Sequence, residues 1–169
     1  ANYTMIRNWV GQSTSASFYD LCDKYGILVW DEFFQPNPSD GPNPDDADLY
    51  LANVREKMLR FRSHPCIALW CARNEGDPPP AIDQGIQKLM AELEPQRLYQ
   101  RSSTAGHGVN SGGPYFWRAP RLYYNYGEAF KTEVGSVSVP TLESVQGMMP
   151  KKDWNTINDD WAEHDLARG

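Results

Sequence analysis

Residues 65–72 constrain the fold of this chain most, because they form an unbroken apolar run that ends abruptly in Arg73, Asn74 and Glu75. Such a run is typical of a strand buried on both faces of a parallel sheet. Polar residues at the carboxyl end of such a strand occupy the position of catalytic groups in β/α barrels. Residues 129–136 repeat the pattern, with Glu133 following a short strand candidate. The carboxylates of Glu75 and Glu133 therefore indicate an acid/base and nucleophile pair.

Six strand candidates, near residues 4, 27, 66, 97, 114 and 129, are mostly separated by helical patterns or long loops. Helices are predicted at about 15–25, 46–63, 80–93, 140–149 and 154–167. In the second of these, Leu49 and Leu59 are predicted on the buried side and Lys57 on the solvent side. The alternation favours an α/β fold with a parallel sheet.

The length of the chain leaves two architectures open. A complete eight-stranded β/α barrel has about 250 residues and at least about 200, whereas this chain has 169. The chain is therefore either an open α/β sheet or a piece of a barrel. A nucleotide-binding fold is disfavoured, because no glycine-rich phosphate loop follows any strand candidate.

Composition narrows the range of partners. The net charge of −6 argues against nucleic acid or an anionic membrane as the main partner, and no apolar run approaches the roughly 20 residues of a membrane span. Aromatic residues make up 12 % of the chain, which fits a core of large rings or a platform for sugar rings. The three cysteines form no disulfide framework, and His64, His107 and His164 lack metal-ligand spacing. We predict no metal and no cofactor.

Four segments, in a fixed order, resemble the β/α-barrel domain of glycoside hydrolase family 2, which comprises β-galactosidases, β-glucuronidases and β-mannosidases. Residues 5–9 are similar to the second strand of that domain, and residues 18–32 to its second helix and third strand. Residues 62–70, leading to Asn74 and Glu75, resemble the fourth strand with its acid/base signature. Residues 130–135 resemble the seventh strand with the nucleophile. The ordered set, over about residues 1–150, carries the resemblance.

The resemblance implies the fold class α/β: a partial (β/α)8 TIM barrel with about strands two to seven in a parallel sheet. Residues 1–169 are then a fragment of the catalytic TIM-barrel domain, without the first and eighth strands and the N-terminal β-sandwich domains. We expect the isolated fragment to be inactive, and the missing domains of the parent chain to be its partners.

The implied function is that of a retaining β-glycosidase, which hydrolyses terminal β-linked sugars of an oligosaccharide or glycoside through a covalent glycosyl-enzyme intermediate. Trp70 and Cys71, followed by Asn74 and Glu75, are closest to the β-mannosidase pattern. A β-galactosidase or another β-glycosidase of the family is the alternative. A non-catalytic carbohydrate-binding fragment is a third reading, which the presence of both carboxylates disfavours.

The resemblance also implies roles for single residues. Glu75 is the expected acid/base and Glu133 the nucleophile, while Asn74 binds the sugar 2-hydroxyl and Arg7 keeps Glu133 ionised. The remaining substrate-binding candidates either contact the sugar or shape the pocket around it. They are the aromatic residues Trp9, Tyr115 and Trp117, and one of the two carboxylates Asp31 and Glu32.

Overall fold

In the computed structural model the chain forms two units, Ala1–Asn110 and Ser111–Gly169. The residues described are 2–104, 106–111, 113, 115, 119–123, 130–134 and 140–163. Within these ranges, no helix is both long and apolar enough to cross a membrane.

Among the described residues of the first unit, four strands form one parallel sheet. They are β1 (Met5–Asn8), β2 (Leu28–Glu32), β3 (Ile67–Arg73) and β4 (Leu98–Ser102), hydrogen-bonded in the order β1-β2-β3-β4. They confirm the first four strand predictions and the parallel α/β class. Because the strands are parallel, the residues that follow them lie along one edge of the sheet.

The first strand is shorter than the sequence predicted. Trp9 was expected within the strand, but it begins a 3-10 helix, Trp9–Gly11. The backbone φ angles of Val10 (44°) and Gly11 (66°) are in the left-handed region, which is incompatible with an extended strand. Gly11 also lies so close to the Glu32 carbonyl that a Cβ atom would stand 2.3 Å from that oxygen. The strand therefore ends at Asn8.

Three helices of the first unit confirm the predicted helices: α1 (Ala16–Tyr25), α2 (Ala47–Phe61) and α3 (Pro80–Leu93). Gly26 ends α1 in the left-handed conformation, with φ 68°. The carboxylate of Asp46 caps α2 by accepting a hydrogen bond from the Leu49 amide at 2.9 Å. Pro80 occupies the first turn of α3, where its missing amide costs no helical hydrogen bond.

Apolar side chains from the sheet and the three helices form one core. Trp70 of β3 and Phe33 stack at its centre with ring centroids 5.0 Å apart. The buried face of α2 differs from the predicted one. Leu49 and Leu59 were predicted to be buried, but Leu49 is 61 % exposed and Leu59 is also exposed. The residues that α2 buries are Tyr50, Val54, Lys57, Met58 and Phe61.

Lys57 corrects the prediction that the charged face of α2 is solvated. It is 5 % exposed, and its Nζ donates to Asp31 Oδ1 and to the Glu32 carbonyl, both at 2.7 Å. Burial lowers the pKa of the Lys57 ammonium, and the neighbouring charge of Asp31 opposes that shift. Asp31 is itself fully buried, so the lysine is needed as its counter-ion beneath the sheet.

The second unit contains α4 (Pro120–Tyr123), α5 (Leu142–Met148) and α6 (Asp159–Glu163), with a 3-10 helix at Lys151–Asp153. The predicted helix over 140–149 is confirmed by α5. Within the predicted helix over 154–167, regular structure begins only at Asp159, where Asn158 Oδ1 accepts a hydrogen bond from the Trp161 amide at 3.3 Å and caps the helix. Residues 164–167 lie outside the described residues.

The two remaining strand predictions, near residues 114 and 129, do not correspond to full strands among the described residues. At 130–132, Lys131 forms only an isolated bridge, and Phe130 is 55 % exposed. The side chains of this segment are therefore too exposed to stabilise a full strand by packing. Near residue 114, Tyr115 belongs to no regular element. Residues 116–117, with Trp117, lie outside the described residues.

The thiols of Cys22, Cys66 and Cys71 are free and buried. Burial, with a smaller contribution from Asp23, raises the pKa of the Cys66 thiol to about 12, and burial also raises the pKa of Cys71. We expect iodoacetamide to leave all three unmodified in the native protein at pH 8 and to modify all three in guanidinium. Peptide mass spectrometry measures both. Rapid labelling of Cys71 in the native protein would contradict its burial.

Candidate active site

Arg7 connects two predicted site residues at the carboxyl edge of the sheet. Its Nε donates to Glu32 Oε1 and its Nη2 donates to Asn74 Oδ1, both at 2.6 Å. The guanidinium thus joins the ends of β1, β2 and β3. The predicted pairing of Arg7 with Glu133 stays a prediction.

Glu32 is held by three donors although it is fully buried. Besides Arg7, the Trp30 indole donates to Oε1 at 3.0 Å, and the Val10 amide donates to Oε2 at 2.8 Å. Burial raises the pKa of the Glu32 carboxyl above its ordinary value, while the charge of Arg7 and these hydrogen bonds oppose the rise. Glu32 therefore fixes the Arg7 side chain in the position from which it reaches Asn74.

Asp31 lies on the opposite face of β2 from Glu32, because successive side chains of a strand alternate. Its Oδ1 accepts from Lys57 and from Asn8 Nδ2 at 2.8 Å, and its Oδ2 accepts from the Tyr19 hydroxyl at 2.7 Å. Burial, followed by the charge of Asp31, raises the pKa of that hydroxyl well above its ordinary range. These contacts favour a structural role for Asp31. Glu32 is as fully buried as Asp31, and a substrate-binding role for either carboxylate stays a prediction.

Glu75 lies on a strained turn directly after β3. Its φ is 43°, and two other residues just beyond strand ends, Val10 (44°) and Phe34 (46°), share this left-handed conformation. Such strain costs about 1–3 kcal/mol per residue and gathers at functional sites. The Glu75 amide donates to Ser103 Oγ at 2.9 Å, and Asn37 Nδ2 donates to Glu75 Oε2 at 2.7 Å. The turn is therefore supported from the ends of β2 and β4.

Three residues of this site were not predicted from the sequence. Ser103 donates to Asn74 Oδ1 at 3.2 Å and also accepts from the Glu75 amide, so it links both residues to the end of β4. Asn37 belongs to a proline-rich loop, and Arg73 was read only as part of the polar cluster. The signal for Ser103 was its place just beyond a strand candidate. No sequence signal distinguishes Asn37 from the other polar residues of its loop.

In the second unit, the structure brings together two other predicted residues. The Tyr115 hydroxyl donates to Glu133 Oε2 at 2.7 Å. This contact is consistent with a tyrosine that orients the carboxylate, and both assigned roles stay predictions. Trp9, in the first unit, is 38 % exposed, and its role as a sugar platform also stays a prediction.

Among the described residues, the cluster with potential metal ligands comprises Asp23, His64 and Cys66. The Asp23 carboxylate already contacts His64 Nδ1 at 2.6 Å and accepts from the Cys66 amide at 2.8 Å. These hydrogen bonds lower the pKa of Asp23 although its burial alone would raise it. The raised pKa of the Cys66 thiol disfavours the thiolate that a metal needs. The cluster therefore fits a structural hydrogen-bond network that joins α1 to the start of β3.

A comparison with known protein families shows to which family this chain belongs. A family profile described as "Glycosyl hydrolases family 2, TIM barrel domain" matches residues 13–111, more than half of the chain. The chain belongs to glycosyl hydrolase family 2. This confirms both the resemblance and the barrel class predicted from the sequence, and it identifies the sheet of this family 2 chain as a partial barrel.

Relatives of this family 2 chain include a mannosylglycoprotein endo-beta-mannosidase from Lilium longiflorum, 30% identical over 196 residues. That match covers 90% of this chain and 21% of the lily protein. A beta-mannosidase from Bos taurus is 25% identical over 198 residues, covering 92% of this chain and 22% of the bovine protein. The family 2 chain therefore spans about one fifth of the length of these relatives.

A solved structure supports the fold of the family 2 chain. The crystal structure of Amycolatopsis orientalis exo-chitosanase CsxA superimposes with a TM-score of 0.69 at 19% sequence identity. The match covers 89% of this chain and 20% of the chitosanase chain. At this identity the likeness concerns the fold alone.

Proposed function

We propose that this chain is part of the catalytic barrel of a retaining β-glycosidase and that β-mannosides are its substrate class. The observation that carries the proposal is the linked set at the sheet edge, in which Arg7 holds Asn74 and the strained Glu75 follows directly. Family membership supports the reaction class, and the β-mannosidase names of the lily and bovine relatives support the sugar. Residues 1–169 would supply the region from the second to the seventh barrel strand, completed by other parts of the full-length protein.

In the first step, the Glu133 carboxylate attacks the anomeric carbon of the sugar. The bond from that carbon to the glycosidic oxygen breaks, and Glu75 delivers its proton to the departing oxygen. The sugar is then joined to Glu133 as an ester. A retaining mechanism of this kind needs the two carboxyl groups about 5–5.5 Å apart.

In the second step, water replaces the enzyme ester. Glu75, now ionised, takes a proton from water as the water oxygen attacks the anomeric carbon, and the bond to Glu133 breaks. Two inversions at the same carbon give a product with the original β configuration. Both glutamates return to their starting protonation states, so the cycle is balanced.

Asn74 would contact the sugar beside the reacting carbon. Its Oδ1 already accepts hydrogen bonds from Arg7 and Ser103, so its amide nitrogen is the group available to a sugar hydroxyl. A hydrogen bond to the 2-hydroxyl strengthens in the transition state and lowers the barrier. Arg7 would thus act on the substrate through the orientation of Asn74.

Glu75→Ala in the full-length protein tests the proposed acid/base role. We expect kcat/KM to fall by about 10²–10⁴-fold for an aryl β-mannoside with a poor leaving group. A dinitrophenyl β-mannoside should lose far less in its first step, because its leaving group needs little protonation. Added azide should raise turnover and give a β-mannosyl azide, since azide attacks without a general base. Steady-state kinetics and NMR of the product measure these results.

Two comparisons sharpen this experiment. Glu56→Ala changes an exposed glutamate of α2 and should leave the kinetics unaltered. A panel of β-mannosides, β-galactosides and a β-mannosyl glycoprotein glycan tests the sugar class separately from the mechanism. Equal losses on good and poor leaving groups, without azide rescue, would refute the acid/base assignment. Preference for another sugar would refute only the substrate class.

A further inference from the structure

The loop between β2 and α2 is fastened to the turn that carries Glu75. Arg73 is buried, and its guanidinium donates to the Pro36 carbonyl at 3.1 Å and to Asn43 Oδ1 at 2.6 Å, both in this loop. The same guanidinium donates to the Asp77 carbonyl at 3.2 Å, on the far side of the turn. The Asn74 amide also donates to the Gln35 carbonyl at 3.0 Å. The loop and the turn are therefore held as one piece.

Asn37 is presented to Glu75 by its own loop. Its Oδ1 accepts hydrogen bonds from the amide and the hydroxyl of Ser39, both at 3.0 Å. Because the carbonyl oxygen of the side chain is occupied in this way, the amide nitrogen is directed at Glu75 Oε2, at 2.7 Å. Pro36 and Pro38 restrict the backbone on both sides of Asn37.

We propose that Asn37 is a positioning residue for the acid/base Glu75, holding its carboxylate in one orientation through the hydrogen bond to Oε2. The proposal rests on the proposed function, in which Glu75 exchanges a proton with the leaving oxygen and with water. The hydrogen bond from Asn37 fixes the direction of the Glu75 carboxylate, which lies on a strained turn. Asn37 is itself held by Ser39, and its loop is held by the hydrogen bonds of Arg73. Proton transfer depends steeply on this direction, since a misplacement of about 1 Å costs up to about 10²-fold in rate.

The test uses the full-length protein with Asn37→Ala. We expect kcat/KM for a poor aryl leaving group to fall by about 10–10²-fold, while that for a dinitrophenyl glycoside changes little. Asp45→Ala, which alters an exposed side chain of the same loop, is the matched control and should change neither value. An equal fall on both substrates would mean that Asn37 is merely structural, and no fall would mean that it has no role. Either result overturns the proposal.

Asn37→Asp provides a second test that a folding defect cannot imitate. The new carboxylate keeps the oxygen that Ser39 contacts, so the loop retains its geometry, but it sets a second acid beside Glu75. Two adjacent carboxyls hold a proton to higher pH than one, so the alkaline limb of the kcat/KM profile should move upward. The Asn37→Asp variant alters none of the titratable or charged side chains on the neighbouring elements, so the new carboxyl is the one change in charge. Those side chains are Arg7, Glu32, Arg73, Asp77 and His107. An unmoved limb overturns the proposal.

Failure of this inference is distinguishable from failure of the proposed function. If Glu75→Ala shows the leaving-group dependence and Asn37→Ala does not, Glu75 remains the acid/base and only the role of Asn37 is lost. If Glu75→Ala shows none, the assignment of Glu75 is wrong, and the positioning role falls with it.

Discussion

Replacing Glu133 with Gln in the full-length protein is expected to lower the turnover of every β-glycoside by at least about 10⁴-fold, the order of loss that follows removal of a covalent nucleophile. The amide of Gln cannot form the glycosyl ester, so neither step of the reaction can proceed. The substitution keeps an oxygen that can accept the hydrogen bond from the Tyr115 hydroxyl, so the local structure should persist. Steady-state kinetics with activated and natural glycosides measure the loss.

A covalent label tests the same residue without relying on lost activity. In a 2-deoxy-2-fluoro-β-mannosyl fluoride, fluorine slows both steps while the good leaving group keeps the first step possible, so the ester accumulates. We expect the added mass on the peptide that contains Glu133, and no labelling in Glu133→Gln. Glu143→Gln, at an exposed glutamate in the first turn of α5, should label normally. A label on another residue would disprove the nucleophile assignment.

Lys57→Met is expected to lower the free energy of unfolding by about 3–5 kcal/mol, because it removes one partner of a buried ion pair. Lys57 and Asp31 are 2.7 Å apart, with side chains 3% and 0% exposed. Without the ammonium, the Asp31 charge would remain buried with only neutral donors from Asn8 and Tyr19. Hydrogen exchange of the β2 and α2 peptides measures the loss for this unit within the full-length protein.

Two variants control for other effects of Lys57→Met. Arg55→Met, on the same helix, breaks the exposed pair with Glu92 and should cost less than about 1 kcal/mol. Combining Lys57→Met with Asp31→Asn should recover part of the loss, since no unpaired charge is then buried. If Lys57→Met costs no more than Arg55→Met, the buried pair does not stabilise the fold as we infer.

The elements that the sequence predicted best are those with strong local signals. The unbroken apolar run before Arg73 predicted β3, and the Gly26 cap predicted the end of α1. Pro80 and the apolar spacing after it predicted α3. Each signal depends on residues close together in the chain, because strand burial, helix capping and helical periodicity are local properties. The segment at 130–132 had only a short apolar stretch, and it forms an isolated bridge instead of a strand.

The sequence also indicated the parallel α/β class and the family, through motifs that occur in a fixed order. It placed Glu32, Asn74 and Glu75 at or just beyond the ends of predicted strands, whereas the site role of Arg7 came from the family resemblance. Parallel strands bring their carboxyl ends to one edge of the sheet, so the meeting of the first three followed from the parallel direction of the strands. The alternation of a strand also separates Asp31 from Glu32, although the sequence pattern did not tell which one faces the helices.

Only the tertiary structure decided which partner each polar side chain takes. In the sequence, Lys57 has the pattern of a solvent-exposed lysine on an amphipathic helix. In the folded chain, the buried Asp31 of β2 lies next to it and forms an ion pair with it. Arg7 meets Glu32 and Asn74, and Asn37 meets Glu75, across separations in the chain that no local pattern encodes. Local sequence determines strands, helices and their caps because those depend on neighbouring residues. Ion pairs and the orientation of catalytic groups depend on distant residues that meet only when the chain has folded.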